Sequence, residues 1–236
     1  MKIKNIEPLS LENWRKEFFK LDPMAETHWK IGGSAYSLAD FLVNRSGEER
    51  IKEIVGKVFK DDLPVVIESG EIEFACQFDK YNGPRKQDIG IWGKTKSGRR
   101  FFVGVEAKVN ETFGNALKDE RQEAVKEKEK NDRSNKVDRI DELCHRFGCD
   151  WAEIPEIRYQ LLHFTAGTAC VKDVDVCIML TIVFHTDSYN EKTGQNNKDD
   201  YNMFMEKFFE REEGIWRLKE LDFPKRPYAL CLEVDL

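Results

Sequence analysis

The spacing of apolar residues is helical at the start of the chain. Between residues 11 and 21, "LENWRKEFFKL", apolar side chains recur three or four positions apart, which predicts an amphipathic helix. A second helix is predicted to begin near Ser34, directly after a pair of glycines, and a third to cover residues 48–60. The first part of the chain is therefore expected to be helical.

The middle of the chain changes to the spacing of β-strands. Residues 63–78 predict one bent strand or two short ones, with a break at Ser69. Residues 87–95 and 99–109 predict two further strands, and the "KSG" between them predicts the turn of a hairpin. An antiparallel block of strands is therefore expected after the first helices.

The rest of the chain is predicted to alternate helices with two more strands. The predicted helices span 115–130, 137–148, 155–171 and 200–212, and the predicted strands span 174–185 and 228–235. The strand at 174–185 is almost entirely apolar, as is typical of a strand buried on both faces. Residues 189–200, "YNEKTGQNNKDD", are mostly polar and are predicted to form a loop. This order predicts an α/β fold with a mixed sheet flanked by helices.

Composition narrows the class of protein. The chain has 236 residues, of which 40% are hydrophobic, which suits one large domain. Its net charge of -6 offers no bulk attraction to nucleic acid, so such binding would need a local basic patch. The sequence shows no signal peptide and no apolar run of membrane-spanning length. We expect a cytoplasmic protein with reduced cysteines and no membrane partner.

A possible chemical site lies in the predicted hairpin. In "VGVEAKV" Glu106 and Lys108 share one face of a strand, because side chains alternate between its faces. Pairing around the "KSG" turn places Asp88 opposite Glu106. Two converging carboxylates repel each other unless a cation lies between them, and a hard ion such as Mg²⁺, or Mn²⁺ in its place, suits this site. The carbonyl of Ala107 can add a ligand.

Lys108 would complement such a metal site. Its ammonium can orient an attacking water, help to deprotonate it, or neutralise charge on a phosphate. The three side chains together indicate phosphodiester hydrolysis. The alternative from the residues alone is that Asp88 and Glu106 are ordinary charges on a half-exposed sheet and that Lys108 forms a surface ion pair.

The stretches "QDIGIWG" and "VGVEAKV", with helices before and after them, resemble the PD-(D/E)XK nuclease superfamily. This resemblance implies a restriction-endonuclease-like αβββαβ core, with the Asp on the second strand and the (D/E)-x-K motif on the third. Asp88, Glu106 and Lys108 match those positions, whereas Gln87 stands where the family has its proline. Members often use a further upstream Glu, and the possible matches are Glu48, Glu49, Glu53, Glu68 and Glu73. Residues 28–185 also resemble uncharacterised bacterial members of the superfamily.

The same resemblance implies a polar residue on the helix that follows the third strand. Gln160 and Arg158 are the matches, and they cannot share one helix face. The hairpin is also locally basic, and six residues are predicted to bind a nucleic-acid backbone: Arg85, Lys86, Lys94, Lys96, Arg99 and Arg100. The alternative is that charges at a hairpin tip serve solubility.

The sequence therefore predicts an N-terminal helical extension over residues 1–33 and a PD-(D/E)XK nuclease-like domain over 34–236. The expected function is metal-dependent hydrolysis of DNA, with Asp88 and Glu106 binding Mg²⁺ and Lys108 assisting the attacking water. DNA is expected over RNA, and a homodimer is open. The alternative function is a catalytically inactive nuclease-fold protein that acts as a binding or regulatory module.

Overall fold

The computed structural model describes residues 1–236 and has an α/β architecture built on one mixed sheet. The helices are α1 (Leu11–Leu21), α2 (Ala25–His28), α3 (Ser34–Asn44), α4 (Gly47–Gly56), α5 (Leu117–Lys130), α6 (Lys136–Arg146), α7 (Tyr159–Ala169) and α8 (Glu191–Phe208). The strands are β1 (Lys2–Ile3), β2 (Val66–Cys76), β3 (Arg85–Lys94), β4 (Arg100–Lys108), β5 (Val176–His185), β6 (Phe209–Glu212), β7 (Ile215–Leu218) and β8 (Tyr228–Asp235).

The eight strands form a single sheet in the order β1-β2-β3-β4-β5-β8-β7-β6. Strands β2, β3 and β4 are antiparallel neighbours, whereas β4, β5 and β8 run parallel. The almost unbroken apolar strand predicted at 174–185 is β5, and it lies between two parallel neighbours. This central position explains why β5 is buried nearly throughout.

Helices cover both faces of the sheet. Residues of α1 to α4 pack with one face into the larger hydrophobic core, and residues of α5 to α8 pack on the other face into a second core. Val103, Val105 and Ala107 of β4 belong to the first core, whereas Glu106 and Lys108 point to the face that carries α7. The coarse prediction of a mixed sheet flanked by helices is therefore confirmed. None of the helices is long and apolar enough to cross a membrane.

Residues 1–33 are continuous with the rest of the protein. Strand β1 pairs with β2 in parallel, which makes it part of the sheet. Trp14 and Phe18 of α1 lie in the same core as the β3 and β4 side chains. No break in packing therefore marks the boundary between residues 33 and 34 that the sequence predicted.

Three predicted elements differ in the structure. Residues 189–200 were predicted to be a loop, but residues 191–200 form the first half of α8, and Asn190 caps it by accepting a hydrogen bond from the backbone N–H of Thr193. The predicted helix 200–212 ends at Phe208, and the last residues form β6 instead. The predicted helix at Pro155 begins only at Tyr159, because the carbonyl of Ile157 pairs with the N–H of Leu117.

Candidate active site

The hairpin of β3 and β4 brings Asp88 to Glu106 as its sequence predicts. The backbone pairing ends with Ile89 opposite Val105, so the next residues outward are Asp88 and Glu106. Beyond this pair the backbone ladder stops, and the carboxylate of Asp88 accepts the N–H of Ala107 at 2.7 Å. The side chain of Asp88 thus takes the position of a backbone acceptor and is fixed beside the end of β4.

The strand pattern breaks next to Asp88. Ile89 packs into the core under α1 to α4, whereas Gln87, two residues earlier, donates a hydrogen bond to Thr168 of α7 on the opposite side. Residues two apart on a regular strand would face the same side. The alternation therefore reverses at Asp88. On the neighbouring strand, Glu73 has a left-handed backbone with φ of 49°.

Glu106, Lys108 and Gln160 form a closed triangle of hydrogen bonds. Lys108 Nζ donates to Glu106 Oε1 at 2.8 Å and to Gln160 Oε1 at 3.0 Å, and Gln160 Nε2 donates to the same Glu106 oxygen at 2.7 Å. The side chains of Lys108 and Glu106 are only 6% and 5% exposed. Lys108 also lies 5.2 Å from the ring centroid of Phe113. The predicted surface ion pair is therefore a buried one.

Close packing of α7 against the sheet sets the position of Gln160. A Cβ on Gly104 of β4 would meet Gln87 Oε1 at 2.4 Å and Thr168 Oγ1 at 2.6 Å. Only glycine leaves room for this contact, so α7 lies directly on β3 and β4. Gln160, in the first turn of α7, is thereby held above Glu106 and Lys108. Gln87 and Gly104 are positioning residues; the sequence marked Gln87 only as standing where the family has its proline, and it did not mark Gly104.

Electrostatics in this site are dominated by burial and by the two acids. The enclosure of its carboxylate, followed by the charge of Glu106, raises the pKa of Asp88 well above its ordinary value. Burial by itself would lower the pKa of Lys108, but the charges of Glu106 and Asp88 outweigh it and the pKa is raised. Lys108 is therefore a protonated ammonium at neutral pH, and the acids lie where positive charge is favourable.

The carboxylate oxygens of Asp88 and Glu106 are the atoms that could bind Mg²⁺. Asp88 Oδ2 and Glu106 Oε1 have hydrogen-bond donors, whereas the second oxygen of each carboxylate accepts no hydrogen bond. No group of three or more His, Cys, Asp or Glu side chains comes together to hold a metal ion. Mg²⁺ often takes one or two carboxylates and completes its shell with water and substrate phosphate. The residues present fit such an open site.

The upstream glutamates have different neighbours in the fold. Glu73 of β2 lies beside Asp88, because the residues on either side of it pair with Ile89 and Gln87, and burial raises its pKa. Glu48 pairs with the N-terminal amine and Lys52, and Glu68 pairs with Lys94. Of the five matches, Glu73 is therefore the candidate that the fold places near the site.

Only some of the predicted polar and basic residues lie near the two acids. Arg158 binds Asp200 of α8 at 2.8 Å, so of the two matches Gln160 alone reaches the acids. The side chain of Arg85 lies on the ring of Tyr159 in the first turn of α7, and Lys86 pairs with Glu73 at 3.5 Å.

The other four predicted nucleic-acid contacts lie at the hairpin tip: Lys94, Lys96, Arg99 and Arg100. Arg100 is six residues from Glu106 along β4, or about 20 Å at roughly 3.3 Å per residue. The six basic residues predicted as one patch therefore occupy two ends of the hairpin. Only Arg85 and Lys86 are near Asp88.

Comparison with known protein families gives a match over most of the chain. A family model described as "Domain of unknown function (DUF6946)" matches residues 8–222. The chain belongs to the DUF6946 family. No curated protein and no solved structure matches it. The matched range contains the hairpin, α7 and α8, so the arrangement of Asp88, Glu106, Lys108 and Gln160 lies inside the family's domain.

A large cavity adjoins this site in the DUF6946 protein. It is open to solvent on one side and has a volume of about 760 Å³. Its lining comes from β5, β8, the β6–β7 hairpin and residues 191–202 of α8, and it includes Lys108 and Phe113. Sequence reasoning missed it because residues 189–200 were assigned to a loop. One signal was available: Thr181 is the single hydroxyl residue in the apolar run of β5.

Proposed function

We propose that this protein is a Mg²⁺-dependent nuclease with a restriction-endonuclease-like core. The observation that carries the proposal is the meeting of Asp88, Glu106, Lys108 and Gln160 where β3 begins and β4 ends. The order of elements supports it, because α4, β2, β3, β4, α7 and β5 follow as an αβββαβ core, with α5 and α6 inserted before α7. The Asp is on the second of these strands and the Glu-x-Lys on the third.

Asp88 and Glu106 would hold the cation through the carboxylate oxygens that accept no hydrogen bond, and the carbonyl of Ala107 can contribute. The bound ion would supply an activated water and would neutralise charge on the scissile phosphate. Lys108 bonds to Oε1 of Glu106, which leaves the second oxygen of that carboxylate for the cation.

Lys108 and Gln160 have roles that follow from their hydrogen bonds. Because the pKa of Lys108 is raised, its ammonium donates hydrogen bonds and does not accept a proton. It can therefore orient an attacking water or bind a phosphate oxygen. Gln160 contacts both Glu106 and Lys108, so it fixes their side chains relative to each other.

We propose DNA as the substrate, in preference to RNA. Arg85 and Lys86 are the basic residues close enough to bind phosphates next to the site, and the residues at the hairpin tip could contact the backbone farther along. Cleavage of both strands would be carried out by two copies acting together. Sedimentation with and without duplex DNA, and cleavage of matched DNA and RNA, test these two points.

The decisive experiment compares nuclease activity of carboxylate-to-amide variants. Purified protein is incubated with plasmid and linear DNA in Mg²⁺, Mn²⁺ or EDTA. We expect cleavage in either metal, none in EDTA, and at least about a hundredfold loss in Asp88→Asn and in Glu106→Gln. Each substitution keeps the shape of the side chain and removes its charge.

Glu129→Gln is the matched control. Glu129 is exposed on α5 and forms no ion pair, so its variant should cleave as fast as the natural protein. Equal cleavage by Glu106→Gln would show that the activity comes from another site or from a contaminating enzyme. Melting temperatures of all variants, measured in EDTA, separate loss of chemistry from loss of folding.

A second candidate function is a nuclease-fold protein that binds without cleaving. The near-complete burial and mutual pairing of Glu106 and Lys108 favours it, because a satisfied ion pair can serve structure alone. Calorimetric titration with Mn²⁺ discriminates between the two. Binding that disappears in the Asp88→Asn/Glu106→Gln double variant supports the enzyme, whereas no binding to the natural protein supports the non-catalytic module.

A further inference from the structure

The cavity of about 760 Å³ beside Lys108 has the size of a small-molecule site, for which roughly 300–1,000 Å³ is typical. β5 and β8 form its floor, residues 191–202 of α8 form its roof, and the β6–β7 hairpin, Ile54 and Lys57 complete the lining. The roof consists mainly of the first half of α8. This half of the helix is polar, and the apolar contacts that anchor α8 come from Phe204, Met205 and Phe208 in the second half. The helix therefore leaves space above the sheet and does not fill it.

Two buried polar groups in the cavity wall have no partner. Thr181 of β5 is 2% exposed and its hydroxyl makes no hydrogen bond. Asn197 of α8 is 6% exposed; its amide N–H binds the carbonyl of Glu111 at 2.8 Å, and its Oδ1 accepts nothing. A buried polar group without a partner is costly and is usually paired. Floor and roof thus each present one unmet polar group, a hydroxyl and an acceptor.

Aromatic rings accompany these polar groups. Tyr201 of α8 lines the cavity and stacks on Phe113 with ring centroids 6.4 Å apart. Tyr189 and Trp216 line it as well. A planar heterocycle can stack on such rings whatever its identity, and its edge can bond to a hydroxyl and a carbonyl.

Charge in the cavity opposes that of the whole chain. Its lining contains four basic side chains (Lys57, Lys108, Lys198 and Arg211) and two acidic ones (Glu191 and Glu233). The net charge of the chain is -6. Because Lys108 is already paired with Glu106, the lining keeps only a small positive excess, which does not repel an anionic group as the net charge of the whole chain does.

The cavity is continuous with the candidate active site. Lys108 lines the cavity and also bonds to Glu106, and its ammonium lies over the ring of Phe113, which in turn stacks on Tyr201. A phosphate beside Lys108 would thus have an aromatic wall directly next to it. In a nucleotide the sugar and then the base follow the phosphate, just as the aromatic wall follows Lys108 in the cavity.

We propose that this cavity is a nucleobase pocket, in which a base turned out of a nucleic-acid strand stacks on Tyr201 and bonds to Thr181 and Asn197 while its phosphate lies at Lys108. The proposal deepens the proposed nuclease function and rests on it for the strand as ligand. Pocket recognition of the base itself requires neither metal nor cleavage. A free nucleotide carries the same chemistry, so the experiment includes both sources.

The first arm measures binding of the four deoxynucleoside monophosphates and of 2-deoxyribose 5-phosphate by calorimetry in EDTA. We expect at least one nucleotide to bind about tenfold or more tightly than the sugar phosphate, because the base contributes stacking. Equal binding of nucleotide and sugar phosphate, or no binding of any nucleotide at millimolar concentration, overturns the proposal.

Variants place the binding in this cavity. Thr181→Val and Asn197→Leu keep side-chain volume and remove a polar group, and each should weaken nucleotide binding about fivefold. Thr181→Ser retains the hydroxyl and should bind like the natural protein, which guards against a folding defect in the valine variant. Thr165→Val, a buried threonine on α7 outside the cavity, is the matched control. Unchanged affinity in both cavity variants overturns the proposal.

The second arm uses short single strands that carry one abasic site at successive positions. If the strand is the ligand, the natural protein should bind the oligonucleotide less tightly when the abasic site is at one particular position. The Thr181→Val/Asn197→Leu double variant should bind the oligonucleotides equally wherever the abasic site lies. If affinity is the same at every position while mononucleotides bind, the source is a free nucleotide. Nuclease activity is measured separately, so nucleotide binding by a protein that never cleaves DNA would remove the proposed function and leave the pocket.

Discussion

Replacing Lys108 by Met tests whether the buried charge of Glu106 needs Lys108 for the protein to stay folded. The substitution keeps an unbranched apolar side chain and removes the ammonium, which bonds to Glu106 at 2.8 Å and to Gln160 at 3.0 Å. The carboxylate of Glu106 is then left buried with one hydrogen bond, from Gln160 at 2.7 Å. The charge of Asp88 beside it loses the same neutralising cation.

The size of the destabilisation depends on the hydrogen bond that Glu106 keeps after Lys108 is replaced. Breaking a buried pair by removing one partner costs about 3–5 kcal/mol. Because the bond from Gln160 to Glu106 is retained, we expect the lower end, about 3 kcal/mol, which for a chain of this length is a fall of roughly 6–12 °C in melting temperature. In the Glu106→Gln/Lys108→Met double variant no Glu106 charge is stranded, and we expect a loss of only about 1 kcal/mol.

The assay is urea unfolding in EDTA at pH 8, followed by tryptophan fluorescence, for the natural protein, both single variants and the double variant. The four free energies of unfolding give the coupling between the two residues. A loss below about 1 kcal/mol in Lys108→Met, or a double variant as unstable as that single variant, would refute the reasoning that the charge of Glu106 requires Lys108. A control variant, Lys94→Met, removes an exposed lysine paired with Glu68 and should change stability by less than about 1 kcal/mol.

Three further predictions concern pH and packing. The pKa of Asp88 is raised in the folded state, so its ionisation weakens the fold as pH rises above the ordinary carboxyl value, and Asp88→Asn should remove this part of the pH dependence in urea titrations; an unchanged profile contradicts the assignment. Burial, followed by the charge of Arg85, lowers the pKa of His163 to about 3, so folded protein should lose stability as pH falls from about 6.5 toward 3, and His163→Gln should flatten that slope in acid unfolding curves. Gly104→Ala should cost about 1–3 kcal/mol in urea unfolding, because its Cβ would meet Gln87 and Thr168, whereas Gly83→Ala, where nothing lies within 4 Å, should show only the cost of its backbone conformation; equal losses would contradict the packing argument.

Much of the central hairpin could be predicted from the sequence. The alternation in β3 and β4 and the "KSG" turn fix the register, and the structure confirms it with Ile89 opposite Val105. The two strands are joined by a short turn, so the turn and the alternation of side chains in the strands are enough to set their pairing. The position of Asp88 beside Glu106 follows from that register alone.

The helices after the hairpin were less predictable. The first half of α8 has the composition of a loop, and it is helical because Asn190 caps it and Phe204, Met205 and Phe208 anchor the other half in the second core. Tertiary packing thus overrides weak local propensity. The start of α7 shifted for a related reason, since Ile157 pairs with a distant backbone group.

By itself the sequence determined the strand pattern, the hairpin register and the pairing of an acid on β3 with a Glu-x-Lys on β4, because neighbours in the chain decide all three. Only the tertiary structure decided which distant group completes the site. It selects Gln160, 52 residues after Lys108, because Gly104 lets α7 rest on the sheet. It also opens a cavity between Thr181 and Asn197, since a helix anchored at one end leaves space at the other, and no local pattern records that space.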